Sequence, residues 1–166
     1  ARCVRTRPNM VTAHAACVGD DFEDRYVTLT DVGLMGMTDR SAFAGEEREV
    51  WIARGEGFAQ RLRQDIEVPA VQMSRLLDNL GISRLDLLLL DVEGAEIDVL
   101  RGLDFTRHAP RHILAEDDYS EDVARFMAGK GYERIAKLSE RKFTRDCLYR
   151  RLASAGPSSG SHTSLT

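Results

Sequence analysis

Three carboxylates lie within six residues of one segment, LDLLLLDVEGAEIDVL at residues 85–100. The apolar run Leu87–Leu90 ends at Asp91, and Glu93 and Glu96 follow, with a glycine between them. Carboxylates can accept a proton from a reacting hydroxyl group, orient a ligand through hydrogen bonds, or bind a hard cation. Acidic residues also favour the first turn of any helix because they complement its dipole. We interpret Glu96 in this second way and leave both interpretations open for Asp91 and Glu93.

The local pattern places these carboxylates where a strand ends and a helix begins. Four leucines bounded by Asp86 and Asp91 suit a strand that is buried on both faces, as in a parallel sheet. After Asp91 the apolar residues recur at three- and four-residue steps, which predicts a helix over residues 95–103. Ligands of open α/β sheets bind at the carboxyl ends of the strands, so Asp91 is well placed for chemistry.

A second predicted strand, His112–Ala115, also ends on acidic residues, the first of which is Glu116. A predicted helix over residues 120–129 follows it, and this alternation indicates a mostly parallel sheet with right-handed crossovers. Neighbouring parallel strands end at the same edge of a sheet, so Glu116 should share a rim with Asp91 and Glu93. A divalent cation held by these carboxylates is the less favoured alternative, and we predict no metal site.

The remaining predicted elements surround this region. Strands are predicted at Val11–Val18, Arg25–Thr30, around Val68 and Pro69, Tyr132–Leu138 and Asp146–Leu152, with a helix over residues 74–80 that Ser74 caps and Gly81 ends. The last two strands are joined by a short loop, which predicts an antiparallel hairpin. Residues 31–65 hold five glycines and a charged run, so we expect a long irregular connection with a short strand at Val50–Ile52. Small polar residues at 153–166 predict a disordered tail, which leaves one domain over residues 1–152.

Composition excludes several classes of protein. The chain has 166 residues, 30% of them charged, and a net charge of −4, so no basic excess attracts nucleic acid or an anionic membrane. No apolar stretch approaches the ~20 residues that span a bilayer, and the basic N-terminus lacks the apolar region of a signal peptide. Three separated cysteines without a CxxC pair predict a reducing compartment, so we expect a cytoplasmic protein without a zinc site.

Three other residues have chemically active side chains. His14 and His112 lie within apolar predicted strands, and we expect both to be core histidines. Trp51 could cover an acceptor pocket, although a packing role is favoured for a lone tryptophan.

The sequence resembles the FkbM-type methyltransferases over about eighty residues. The resemblance is carried by VPAVQMSRLLDNLGISRLDLLLLDVEGAEIDVLRGLDF, and then by HILAED, GKGYE and DCLYRR. Its most specific part is an apolar strand that ends in D-x-E-G-x-E and continues to L-x-G. The resemblance implies the Rossmann-like class I methyltransferase fold with a C-terminal antiparallel hairpin. It also implies O-methylation of a hydroxyl group with S-adenosylmethionine as the methyl donor.

The resemblance implies roles for five residues. Asp91 is the first catalytic candidate, followed by Glu93 and Glu116, and the acceptor would be a hydroxyl of a small molecule, sugar or lipid. Asp20, Asp91 and Gly94 are the candidates for cofactor binding. Gly94 would act by allowing a tight turn or a close approach of the backbone.

One feature of the family has no counterpart here, namely the glycine-rich cofactor turn that should precede the first predicted strand. We therefore expect an N-terminally incomplete domain that binds S-adenosylmethionine weakly or not at all. We also expect an unpaired edge on strand 87–90 that favours self-association. The alternatives are an inactive fragment and a non-catalytic Rossmann-like module that binds a partner through this edge. A phosphoacceptor receiver-like domain is disfavoured by the D-x-E-G-x-E run and the C-terminal hairpin.

Overall fold

The computed structural model describes residues 8–117, 120–140 and 145–153. Within them, eight strands form two four-stranded sheets with four α-helices. In chain order the elements are β1 (Ala16–Val18), β2 (Tyr26–Asp31), β3 (Met37–Thr38), α1 (Gly45–Ala59), β4 (Gln64–Gln72), α2 (Met73–Asn79), β5 (Leu87–Leu90), α3 (Glu96–Arg101), β6 (His112–Asp117), α4 (Asp122–Gly129), β7 (Tyr132–Glu140) and β8 (Arg145–Arg151). The predicted tail beyond Ala153 lies outside the described residues.

The two sheets are both mixed. The first has the strand order β1-β4-β2-β3, and the second has the order β5-β6-β8-β7. Each holds one parallel pair, β1–β4 or β5–β6, while the other pairs are antiparallel. The α/β class and the C-terminal hairpin are confirmed, but the prediction of one mostly parallel sheet is wrong. Five residues connect β2 to β3 and four connect β7 to β8, which is too few for the crossover that parallel neighbours require, so these strands pair antiparallel.

The predicted irregular connection 31–65 contains the 15-residue helix α1, so the expected strand at Val50–Ile52 is wrong. The helix buries Ile52 but leaves Val50 exposed, so its sequence shows no continuous apolar stripe. Gly55 marks close packing rather than a loop, because a Cβ there would lie 2.4 Å from Val32 Cγ2. Glycine disfavours helix in isolation, and here the tertiary contact outweighs that preference.

Strand β1 is shorter than the predicted strand Val11–Val18 because it finds a partner only at its end. Its three residues pair with Ala70–Gln72 of β4, and Val11 is exposed. His14 is also exposed, so its prediction as a core histidine is wrong, and His112 is only half-buried. The buried histidine among the described residues is His108, which the sequence pattern did not single out.

Ser74 does not cap helix α2, which begins one residue earlier, at Met73. Its hydroxyl oxygen instead accepts a hydrogen bond from the Asp104 backbone N–H at 2.7 Å and contacts His108 Nδ1 at 3.1 Å. This buried contact ties α2 to the segment that follows α3. The expected end of the helix at Gly81 is confirmed, since that glycine has a φ of +67°.

Strand β5 forms one edge of the second sheet. It pairs in parallel with β6, with Leu90 opposite Ala115, and no described strand pairs with its other edge, as expected. The prediction that both faces are covered is wrong, because Leu87 and Leu89 are 52% and 61% exposed. The opposite face packs in the main core. None of the helices that the structure describes is long and apolar enough to cross a membrane.

Candidate active site

A tight turn joins β5 to α3 at residues 91–95. Glu93 and Gly94 both have positive φ, at 51° and 87°, and the Ala95 N–H donates to the Val92 carbonyl oxygen at 3.3 Å. A Cβ on Gly94 would lie 2.7 Å from Ser41 Oγ, so both the tight turn and the close approach expected of this glycine are present. A non-glycine residue such as Glu93 is strained in this conformation, which costs on the order of 1 kcal/mol or more.

Three hydrogen bonds from the segment around α1 hold this turn. Ser41 Oγ donates to the Glu93 carbonyl oxygen at 2.7 Å, and the Ala42 N–H donates to the Gly94 carbonyl oxygen at 2.9 Å. The indole N–H of Trp51 donates to Glu93 Oε2 at 2.7 Å. The turn is thus held in its strained conformation by a segment that the sequence pattern predicted to be irregular.

Arg40 fastens the same segment to the start of α3. Its guanidinium contacts Asp98 Oδ1 at 2.5 Å and Asp21 Oδ1 at 3.0 Å. Asp98 is buried, so this ion pair is shielded from solvent on one side and is stronger than a surface pair. Neither Arg40 nor Asp98 was a candidate in the sequence, because their positions are 58 residues apart.

An apolar groove of about 420 Å³ lies between the two sheets. Asp91 and Val92 of the turn border it, and its walls include Cys17, Leu29, Ile66, Leu89 and Val99. Its volume lies within the ~300–1,000 Å³ range of small-molecule sites. Burial raises the pKa of the Cys17 thiol, so this thiol stays protonated at neutral pH and is a poor nucleophile.

A smaller cavity of about 70 Å³ also borders the turn, at Gly94. It is acidic, because Glu96, Glu116, Asp117 and Asp122 line it. Ala42, Phe43, Ile97 and Val123 supply apolar walls.

The carboxyl group of Glu96 has a strongly raised pKa. Its side chain is buried, and Oε1 accepts a hydrogen bond from the Val92 N–H at 3.1 Å. Burial raises the pKa of Glu96 to about 7, and the nearby charge of Glu116 adds to the rise. We expected Glu96 only to complement the helix dipole. The structure shows in addition that its carboxyl group borders the acidic cavity and titrates near neutral pH.

Comparison with known proteins identifies the family. The sequence model of the methyltransferase FkbM domain matches residues 1–135. The chain belongs to the FkbM methyltransferase family. Within the described residues, the match runs from the start of the first sheet into β7 and includes the whole turn. No curated protein and no solved structure matches the chain.

The predicted site residues of this FkbM domain lie around one turn but face different spaces. Asp91 is exposed and borders the groove, whereas Gly94 and Glu116 border the acidic cavity. Glu93 lies between them and binds Trp51. Asp20 is exposed and borders neither space. Among the residues that the structure describes in this FkbM domain, no three His, Cys, Asp or Glu side chains converge in a way that could hold a metal ion.

Proposed function

We propose that this FkbM domain is an S-adenosylmethionine-dependent methyltransferase that acts on a hydroxyl group of a small molecule, sugar or lipid. The observation that carries the proposal is the family membership, joined to a rim of carboxylates where β5 and β6 end. The parallel pair β5–β6 and the antiparallel strand β8 support a Rossmann-like methyltransferase fold. Cys17 and Cys147 are free thiols, which supports a reducing, cytoplasmic setting.

The groove is the space that suits the cofactor. Its volume and apolar walls suit an adenosyl group, and the Asp91 carboxylate can accept hydrogen bonds from ribose hydroxyls. Gly94 allows the tight turn that places Asp91 at the groove. Asp20 would contact only a ligand that extends beyond the groove. When bound, S-adenosylmethionine supplies a methyl group that is activated by its sulfonium charge.

The chain's own carboxylates would handle the proton and the position of the acceptor. Asp91 is exposed at the groove and is the best placed to accept the proton of the hydroxyl, an effect that typically contributes about 10²–10⁴-fold in rate. Glu93 already accepts a hydrogen bond from Trp51, so it suits orientation better than proton transfer. Glu116 acts from the acidic cavity, where it can bind a polar part of the acceptor.

Calorimetric titration with S-adenosylmethionine tests this proposal. One acidic side chain and apolar walls predict weak binding, with a Kd of about 1 mM. Asp91→Asn should weaken it by about tenfold and lower the transfer of a labelled methyl group to hydroxyl acceptors, whereas Asp20→Asn should bind and transfer like the wild type. Binding that ignores the Asp91 substitution, or no binding at several times this concentration, would refute the proposal.

A non-catalytic interaction module is the second candidate function. It is favoured by the unpaired edge of β5, where Leu87 and Leu89 are exposed. A second copy of the chain is the partner that we propose for this edge. Concentration-dependent sedimentation without any binding of S-adenosylmethionine would favour this function over catalysis.

A further inference from the structure

A separate cleft lies at the end of the second sheet that is opposite to the turn at residues 91–95. It forms where β5 and β6 begin and β8 ends, and its volume is about 520 Å³. Asp86 precedes β5 and Asp91 follows it, so roughly 17 Å of extended chain separates the two ends of this strand. A small ligand in the cleft is therefore too far from the turn to contact it.

We call this space the basic cleft, because Arg84, Arg111 and Arg151 line it. Among the described residues that line it, Asp86 is the one carboxylate, and its Oδ1 lies 2.7 Å from the guanidinium of Arg84. Three positive charges against one negative charge leave an excess of two, although the whole chain has a net charge of −4. The cleft is thus a local concentration of positive charge on an acidic protein.

Two of these arginines lie directly opposite each other on neighbouring strands. His112 pairs with Arg150, so Arg111 and Arg151 are the next pair, and the Arg151 N–H donates to the Arg111 carbonyl oxygen at 3.0 Å. Opposite side chains of an antiparallel pair share one face of the sheet, and like charges in this position repel each other. Both arginines are exposed, and neither has an acidic partner within the part of the chain that the structure describes. An anion between them would relieve this repulsion.

The backbone that carries this pair is held in place. The Arg111 N–H donates to the Leu85 carbonyl oxygen at 2.9 Å, which ties the start of β6 to the start of β5. The buried Tyr132 hydroxyl donates to the carbonyl oxygen of Pro110 at 2.6 Å. A ligand therefore meets two guanidinium groups whose backbone positions the sheet has already fixed, so less conformational entropy is lost when it binds.

The chemistry of the cleft selects the kind of ligand. A guanidinium group is planar, always charged, and donates paired hydrogen bonds to a phosphate or a carboxylate. The excess of two positive charges favours a phosphate monoester, which carries about −1.5 to −2 charges at pH 7, over a carboxylate. The net negative charge of the chain opposes long-range attraction to an anionic membrane, so a small molecule is favoured over a lipid surface.

We propose that the basic cleft binds the phosphate monoester group of a small molecule, with Arg111 and Arg151 as the two main binding residues. Arg84 contributes less, because Asp86 already engages it. The volume of the cleft leaves room beyond the phosphate, and Leu85 and Leu152 line that part of the ligand. The proposal does not depend on methyl transfer, since the cleft lies at the other end of the sheet.

Calorimetric titration of the full chain with glycerol phosphate tests the proposal, with glycerol as the matched neutral probe. At low ionic strength, glycerol phosphate should bind with a Kd of about 1 mM, and glycerol should not bind. Arg111→Gln and Arg151→Gln should each weaken the binding of glycerol phosphate by tenfold or more. Arg150→Gln is the matched control, because Arg150 is the preceding residue of β8, faces the other side of the sheet and contacts Glu133 Oε1 at 2.5 Å. This control should bind like the wild type.

Thermal unfolding provides a second measurement, which separates binding from damage to the fold. At ten times its Kd, glycerol phosphate should raise the Tm of the wild type by roughly 3–6 °C and that of Arg151→Gln by much less. Without ligand, Arg151→Gln should not lower the Tm, because it removes a like-charge contact. A lower Tm in both Arg111→Gln and Arg151→Gln without ligand would mean that these arginines stabilise the fold instead, and would overturn the proposal.

Four further results would overturn it: equal binding of glycerol phosphate and glycerol, no binding of glycerol phosphate at several times the expected Kd, an equal loss of binding in Arg150→Gln, or binding only to vesicles that contain phosphatidic acid. The last result would assign the cleft to a membrane surface. S-adenosylmethionine should bind equally well with and without glycerol phosphate, and competition between them would contradict a separate site. Failure of S-adenosylmethionine to bind, with glycerol phosphate still bound, would refute the proposed function alone.

Discussion

Replacing Glu96 with glutamine should stabilise this protein at neutral and alkaline pH. The carboxyl group ionises with a pKa of about 7 in the folded protein, against an ordinary value of 4.5. Below about pH 4.5 the group is protonated in both states, so it contributes no difference. As the pH rises towards 7 the unfolded chain ionises first, and the free energy of unfolding of the wild type falls. Above about pH 7 the loss is complete and stays constant.

The size of this effect follows from the two pKa values. Their difference corresponds to about 3 kcal/mol, at ~1.4 kcal/mol for each tenfold change in proton affinity. Glutamine removes this penalty, but it accepts the hydrogen bond from the Val92 N–H less strongly than a carboxylate does. The weaker hydrogen bond lowers the free energy of unfolding by about 1 kcal/mol. We therefore expect a net gain of about 2 kcal/mol at pH 8, or a rise in Tm of roughly 4–8 °C.

Urea denaturation of both proteins between about pH 4 and pH 8 measures the effect. The advantage of Glu96→Gln should be absent near pH 4 and grow with pH, whereas Glu47→Gln at an exposed position should show no such trend. A glutamine variant that is less stable than the wild type at pH 8 would refute the reasoning, as would an advantage that does not change with pH. Either result would mean that Glu96 is ionised in the folded protein without penalty.

Three further predictions concern packing and association. Gly55→Ala should destabilise the protein by ~1–3 kcal/mol in urea denaturation, because the added Cβ would clash with Val32. Gly57→Ala has open space around it and should stabilise α1 by up to about 1 kcal/mol. Equal effects of the two substitutions would contradict the packing of Gly55. Trp51→Phe loses its hydrogen bond to the turn and should lower the free energy of unfolding by ~1–2 kcal/mol, and no change would argue against this contact. Leu89→Lys should reduce self-association through the open edge of β5 in sedimentation velocity experiments, and unchanged association would contradict this surface as the interface.

Local sequence determined the elements around the turn. Four leucines followed by Asp91 predicted β5, and the change of apolar spacing predicted α3, because both patterns depend on neighbours within one or two turns of chain. The D-x-E-G-x-E run also identified the family, which the match over residues 1–135 confirms. The tight turn expected at Gly94 is present, because it depends on the backbone conformation of that residue, whereas the role of Gly94 in cofactor binding stays a prediction.

Tertiary structure alone decided how these elements are used. Helix α1 packs closely against Val32 at Gly55, and no local pattern shows a contact across 23 residues. Apart from the C-terminal hairpin, whose short loop predicted an antiparallel pair, the directions of neighbouring strands were not visible, since alternation of apolar residues is the same in parallel and antiparallel strands. The acidic cavity arises from Glu96 and Glu116, which are 20 residues apart in sequence and share one space only after β5 and β6 pair. Burial then changes the chemistry of Glu96, because the pKa of a carboxyl group depends on the solvent and charges around it rather than on its place in the chain.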